Sequence, residues 1–244
     1  MTTIVVAKKN GQVAIAADSL TTFGDTRLAD HYKRVHDKVL RSNGSRIGVW
    51  GTSFGGGLAT VAAAVDRRVK VLFLQVPVAS GGGLMQAITP PDVFEALGRA
   101  LDVDRVCIAS GKPPVRYPQT DTDPAAGALA ADEGTFSWMT EEAAATPHWI
   151  NELTFQTIDR LLEFEPGDYL PRFAPRPVLL AVVEDDEINP EQYSLDALDK
   201  TDGPKKLLRL VGGGHYSVYR EHFDAVSSAA RDWFAEHLLA GAAP

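Results

Sequence analysis

The chain has 244 residues, 45% of them hydrophobic, and a mean hydropathy of −0.09, enough to build the core of one α/β domain or two small ones. A net charge of −8 and a pI near 5.2 argue against nucleic acid or an anionic membrane as partner. Cys107 stands alone, so no internal disulfide forms; apolar runs fall short of a membrane span and no secretory signal is visible, which together predict a soluble cytoplasmic protein.

In chain order, "TIVVA" and "VAIAA" within residues 3–17 flank Asn10-Gly11, the strongest short hairpin signal because a type I′ turn needs positive φ at both central residues. Residues 18–45 are polar and end in the turn "SNGS". From Arg46 the rhythm alternates strand and helix. "RIGVW" predicts a strand, and an Ala/Val-rich stretch over 54–66 predicts a helix. "VKVLFLQVPVA" (69–79) is apolar throughout, as expected of a parallel strand buried on both faces, and "SGGG" breaks it. Helices are expected at 87–101 and 150–164, separated by a Pro-, Ala- and Gly-rich stretch that reads as an inserted lid over about 87–170. "RPVLLAVVEDD" (176–186) is a buried strand ending in acids, and "KKLLRLVGGGH" (205–215) a strand ending in glycines and a histidine. Residues 221–238 close as an amphipathic helix with Phe223, Val226, Ala230, Trp233 and Phe234 on one stripe.

Chemistry concentrates at "GTSFG", residues 51–55, a G-x-S-x-G turn between a strand and a helix. Such a turn exposes a serine hydroxyl, and Gly51 and Gly55 leave room for the tight backbone path. A serine is a weak nucleophile unless a base takes its proton, an acid orients the base, and donors meet the oxyanion. Ser53 is the candidate nucleophile. His215, after the last strand, is the candidate base. Asp186, after the preceding strand, is the candidate acid, with Asp185 and Glu184 as weaker candidates. The order Ser, Asp, His is the one this type of turn requires. Phe54 N–H supplies one oxyanion donor. Trp138, His148 and Trp149 are expected to line a pocket for a small acyl substrate. No metal-ligand pattern surrounds the acids at 184–187, and no cofactor is expected.

From about Arg46 to Leu239 the chain resembles the α/β-hydrolase superfamily, in its dienelactone-hydrolase-like and acyltransferase-like branch. The resemblance rests on "GVWGTSFGGG", "PHWINELTFQTIDRLLEFEPGDYLPRFAPRPVLL", "EDDEINPEQ" and "GGGHYSVYREHFDAVSSAARDWFAEHL". It implies a mostly parallel sheet with helices on both faces, Ser53 as nucleophile, Asp186 as acid and His215 as base. It leaves esters, thioesters, lactones and amides open as substrates.

Residues 2–45 resemble another family. "TTIVVAKKNGQVAIAADSLTTFGDT" and "HDKVL" are similar to the start of a proteasome-type β subunit. That resemblance implies a threonine nucleophile at Thr2, assisted by Asp18 and Lys38. The join at "NGSRIGVWGTS" then leaves a truncated hydrolase sheet lacking its early strands, with an N-terminal hairpin in their place. A loop after an early strand normally gives the second oxyanion donor, and losing one donor costs about 10²–10³ in turnover. An uncovered edge strand invites pairing, so the hairpin is expected against the sheet or against a second subunit of a homodimer. Three readings follow. The first is a serine hydrolase or acyltransferase using Ser53, His215 and Asp186. The second is a threonine peptidase using Thr2. The third is a non-catalytic remnant serving as an oligomeric or binding module.

Overall fold

The computed structural model describes residues 3–9, 12–18, 46–144 and 149–239. Strands β1 (Thr3–Lys9) and β2 (Gln12–Asp18) pair antiparallel, with Lys9 opposite Gln12. The turn expected at Asn10-Gly11 lies outside the described residues. Strand β3 (Arg46–Thr52) leads directly into helix α1 (Ser53–Val65), and β4 (Val69–Gln75) follows. Then come α2 (Gly81–Ile88), α3 (Pro91–Ala109), β5 (Arg116–Tyr117), α4 (Glu133–Ala144), β6 (Leu153–Thr154) and α5 (Phe155–Leu162). The chain ends through β7 (Val178–Val183), α6 (Glu191–Asp199), β8 (Lys205–Leu210) and α7 (Phe223–Phe234).

Among the described residues one six-stranded sheet runs in the order β2-β1-β3-β4-β7-β8. The β3-β4, β4-β7 and β7-β8 pairs are parallel, and β1 lies antiparallel to β3. The hairpin therefore covers the edge of β3, the strand that leads to Ser53. Strand β3 in turn supplies the partner that a hairpin of two strands needs for stability.

Alternation along the central strands builds a core on each face. Val71, Phe73, Leu179, Ala181 and Val183 pack with Val226, Ala230, Trp233 and Phe234 of α7. Leu72, Leu74, Leu180 and Val182 pack with Ala59 and Ala63 of α1 and with Leu170 and Phe173. Period-2 alternation sends neighbouring residues to opposite faces, so a strand apolar at every position is buried on both. Each large side chain fully buried this way contributes about 1.5–3 kcal/mol.

The described residues divide into two compact units: one holds the sheet together with the chain from Glu165 onward, the other comprises Met85–Phe164. Within the second unit, β5 and β6 pair antiparallel, Arg105 bonds Asp159 and Asp102, and the Asn151 side chain bridges Thr120 N and O at 3.0 and 2.8 Å.

Three expectations need revision. The helix expected at 87–101 is split into α2 and α3 around Pro90 and Pro91, because proline cannot continue a helix yet suits the first position of the next. The helix expected at 150–164 is Phe155–Leu162, its start taken over by β6. Phe223, placed on the buried stripe, sits at the first position of α7 and is 51% exposed.

Candidate active site

The site is assembled where β3, β7 and β8 end. At the end of β3 the backbone reverses through Ser53, whose φ of +51° is rare for a residue with a side chain. The turn needs Gly51. A Cβ there would lie 2.5 Å from Ala59 Cβ and 2.6 Å from Gly55 O, so the helix could not approach its own strand. Ser53 is the first residue of α1 and Phe54 the second, at the positive end of a 13-residue helix.

At the end of β7, Asp185 takes φ +60° and turns Asp186 inward. Asp186 is 5% exposed. Its Oδ1 accepts the N–H groups of Ile188 and Asn189 at 3.0 and 2.8 Å. Its Oδ2 accepts from His215 Nδ1 at 2.8 Å. That bond places the imidazole proton on Nδ1 and leaves Nε2 as an acceptor. Ser53 Oγ lies 3.0 Å from Nε2, in reach to donate its proton.

His215 is carried past β8 by Gly212, Gly213 and Gly214, at φ +77°, +86° and +66°. Three successive residues in the left-handed region are cheap only without a Cβ. The loop is closed by His222 Nε2, 3.0 Å from Gly212 O, and by Ser217 Oγ, which donates to Gly214 O at 2.7 Å. His215 itself is 2% exposed, with the Tyr216 ring edge-on at 5.1 Å.

The structure thus brings Ser53, His215 and Asp186 into one hydrogen-bonded chain. Of the weaker acid candidates, Glu184 pairs with Arg209 at 3.4 Å and Asp185 is exposed. Trp138 and Trp149 belong to the second unit; Trp138 lies on α4, and Trp149 Nε1 donates to Gln119 Oε1 at 3.3 Å. His148, Thr2 and Lys38 lie outside the described residues, and Asp18 ends β2. Among the described residues no group of three or more His, Cys, Asp or Glu is arranged to hold a metal ion, and no helix is long and apolar enough to cross a membrane.

Two contacts carry no motif. Thr52, beside Ser53, shares a 2.7 Å hydrogen bond with Tyr219 OH. Asn189 Nδ2 lies 2.8 Å from Val76 O and 3.5 Å from Ser53 Oγ. The position of Asn189 three residues after an acid suggests an Asx-type turn, but nothing in the sequence marks its reach to Ser53.

The sequence profile of the alpha/beta hydrolase fold family matches residues 11–221, and the chain belongs to that family. The match begins well before Arg46, so it includes part of the segment read as proteasome-like. The chain is 26% identical over 218 residues to the quorum-quenching protein AidA of Acinetobacter baumannii, covering 86% of this chain and 66% of that protein. It is 26% identical over 179 residues to a thiohydrolase of Eupenicillium brefeldianum, covering 71% of this chain and 56% of that protein. It therefore spans less than two thirds of the length of either relative. The crystal structure of the alpha/beta hydrolase GrgF from Penicillium sp. sh18 superposes with a TM-score of 0.66 at 20% identity, over 85% of this chain and 71% of that one, a likeness of fold.

Proposed function

We propose that the protein is a serine hydrolase of small acyl esters or thioesters, working through an acyl-enzyme on Ser53. The observation that carries this reading is the hydrogen-bonded chain Ser53–His215–Asp186, with Ser53 held at positive φ on a helix N-terminus. Family membership supports hydrolysis or acyl transfer in general, and the name thiohydrolase, which belongs to the relative, brings thioesters into the proposal for this chain.

In the first half-reaction Ser53 Oγ gives its proton to His215 Nε2 and bonds the acyl carbon, while the carbonyl π pair moves to oxygen. Phe54 N–H donates to that oxyanion. Collapse expels the alcohol or thiol, which leaves with the proton held by His215. Water then gives a proton to His215 and bonds the acyl carbon. The second collapse releases the acid and returns the proton to Ser53 Oγ. Asp186 stays an acceptor throughout and keeps the imidazole in the right tautomer. An alcohol or amine in place of water makes the same chemistry an acyl transfer.

The experiment is active-site labelling with a fluorophosphonate, mapped by peptide mass spectrometry and run beside hydrolysis of an activated p-nitrophenyl ester. Label is expected on Ser53. Ser53→Ala and His215→Ala are each expected to lower turnover by at least about 10³-fold. Label on another residue, or turnover that survives both changes, sinks the proposal.

A further inference from the structure

Asn189 is buried, 7% exposed, and tied to three elements of the site at once. Its backbone N–H donates to Asp186 Oδ1 at 2.8 Å. Its side-chain Nδ2 donates to Val76 O at 2.8 Å and lies 3.5 Å from Ser53 Oγ. Its Oδ1 is buried with no partner among the described residues.

The orientation of the amide follows from chemistry. Turned the other way, Oδ1 would face the Val76 carbonyl, acceptor against acceptor, and the hydrogen bond to that carbonyl would be lost. With Nδ2 toward Val76, the NH₂ group has two protons and two oxygens in reach, Val76 O and Ser53 Oγ. Val76 is itself unusual. It has φ +39°, a genuine outlier for a β-branched residue and a cost of about 1–3 kcal/mol. Its N–H donates to Ala181 O at 2.8 Å, and its carbonyl is turned to Asn189. Backbone strain of this kind persists where its surroundings hold it, and the bond from Asn189 Nδ2 to Val76 O is part of those surroundings.

We propose that Asn189 is a catalytic hydrogen-bond donor to Ser53 Oγ, a role that rests on the hydrolase reading above. In the resting site Oγ donates to His215 Nε2 and accepts from Asn189 Nδ2, so its lone pairs and its proton point in fixed directions. When the proton passes to His215, the electron pair left on Oγ forms the bond to the acyl carbon. Negative charge rises on Oγ as its proton leaves, before the bond to the acyl carbon is complete, and rises again when the acyl-oxygen bond breaks in the second half-reaction. A donor at 3.5 Å is long for a neutral hydroxyl and tightens as charge develops, since bonds to charged oxygens are shorter and stronger. Asn189 thus assists both half-reactions at the same atom.

The test reads the donor directly, without a substrate. In Ser53→Cys, with Cys107→Ser to remove the other thiol, the pKa of the introduced thiol is followed by thiolate absorbance. Adding Asn189→Leu, close in shape but without the amide, should raise that pKa by about half a unit or more. Asn189→Ala serves if the leucine variant does not fold. In the protein with Ser53 intact, the plateau rate of fluorophosphonate labelling should fall about 10- to 100-fold, the range of a hydrogen bond to a developing charge. The midpoint of its acid limb should stay in place. An unchanged thiol pKa overturns the proposal. A midpoint that moves while the plateau holds also overturns it, because Asn189 would then act through the Asp186 loop. If no fluorophosphonate reacts with Ser53 at all, the hydrolase reading fails, and the thiol pKa still reports on Asn189.

Discussion

Single residues at this site are constrained by neighbours far away in sequence. Gly51 is the clearest case. The atoms that a Cβ would strike include Gly55 O at 2.6 Å and Gly56 Cα at 2.8 Å, and backbone cannot swing aside as a side chain can. Gly51→Ala should therefore cost about 2 kcal/mol or more in stability and shift Ser53 from its turn. A denaturant midpoint and the fluorophosphonate labelling rate check both effects; parental values for both would show that the turn relaxes freely. Ser53, Asp186 and His215 were legible in the sequence because their chemistry demands a fixed setting: a strand end, a turn, a run of glycines. Asn189 and Tyr219 were not. They meet Ser53 and Thr52 across 136 and 167 residues, and no local pattern encodes such an approach.

At the scale of elements, the same contrast holds. Strands β4 and β7 were legible because they are apolar at nearly every position, and each is buried on both faces. Helix α2, whose first three residues are glycines, was expected only from residue 87 on, and helix α4, which shows little periodicity and whose buried side is short, was not expected. Two contacts join elements and predict measurable effects. The Thr52–Tyr219 bond ties the Ser53 turn to the loop that carries His215. Tyr219→Phe leaves the buried Thr52 hydroxyl short of that bond, and should lower kcat about 2- to 10-fold with KM little changed. A double-mutant cycle with Thr52→Val should show coupling; additive effects would mean that the bond positions nothing. At the opposite end of the sheet, Arg176 donates to Phe173 O, Asp66 O and Val69 O at 2.8, 3.1 and 2.8 Å, with its guanidinium over the Phe173 ring. It thereby joins the end of α1, the start of β4 and the approach to β7. Arg176→Met keeps most of the stem packing and loses three donors. A destabilisation of about 2–4 kcal/mol is expected in urea unfolding, because the carbonyls lose a charged partner.

Across the whole molecule, stability is drawn unequally from the two units. The unit with the sheet holds both faces of the main core. In the unit of Met85–Phe164, the buried apolar side chains include Leu101, Tyr117, Leu153, Ile158 and Leu161. Tyr117 packs its ring edge-on against Phe155 at 5.2 Å, and its hydroxyl is buried with no partner among the described residues. Burial alone pushes the phenol pKa above its ordinary value. The sign of the consequence is fixed by linkage. In the unfolded chain the phenol ionises near 10, whereas in the folded chain it keeps its proton to higher pH. Its contribution is therefore fully present below about pH 10 and is lost as the pH rises toward the folded value, at up to about 1.4 kcal/mol per pH unit. Tyr117→Phe removes the titrating group and an unpaired buried hydroxyl together. At about pH 8 the variant should melt at the parental temperature or slightly above it, since no hydrogen bond is lost. At about pH 11 its advantage should widen, because only the parental chain gains from ionising this phenol on unfolding. Melting curves at the two pH values make the comparison, and the remaining tyrosines cancel in the difference. An advantage that does not grow with pH would mean that water reaches the hydroxyl, and that the ring is less enclosed than its 7% exposure indicates.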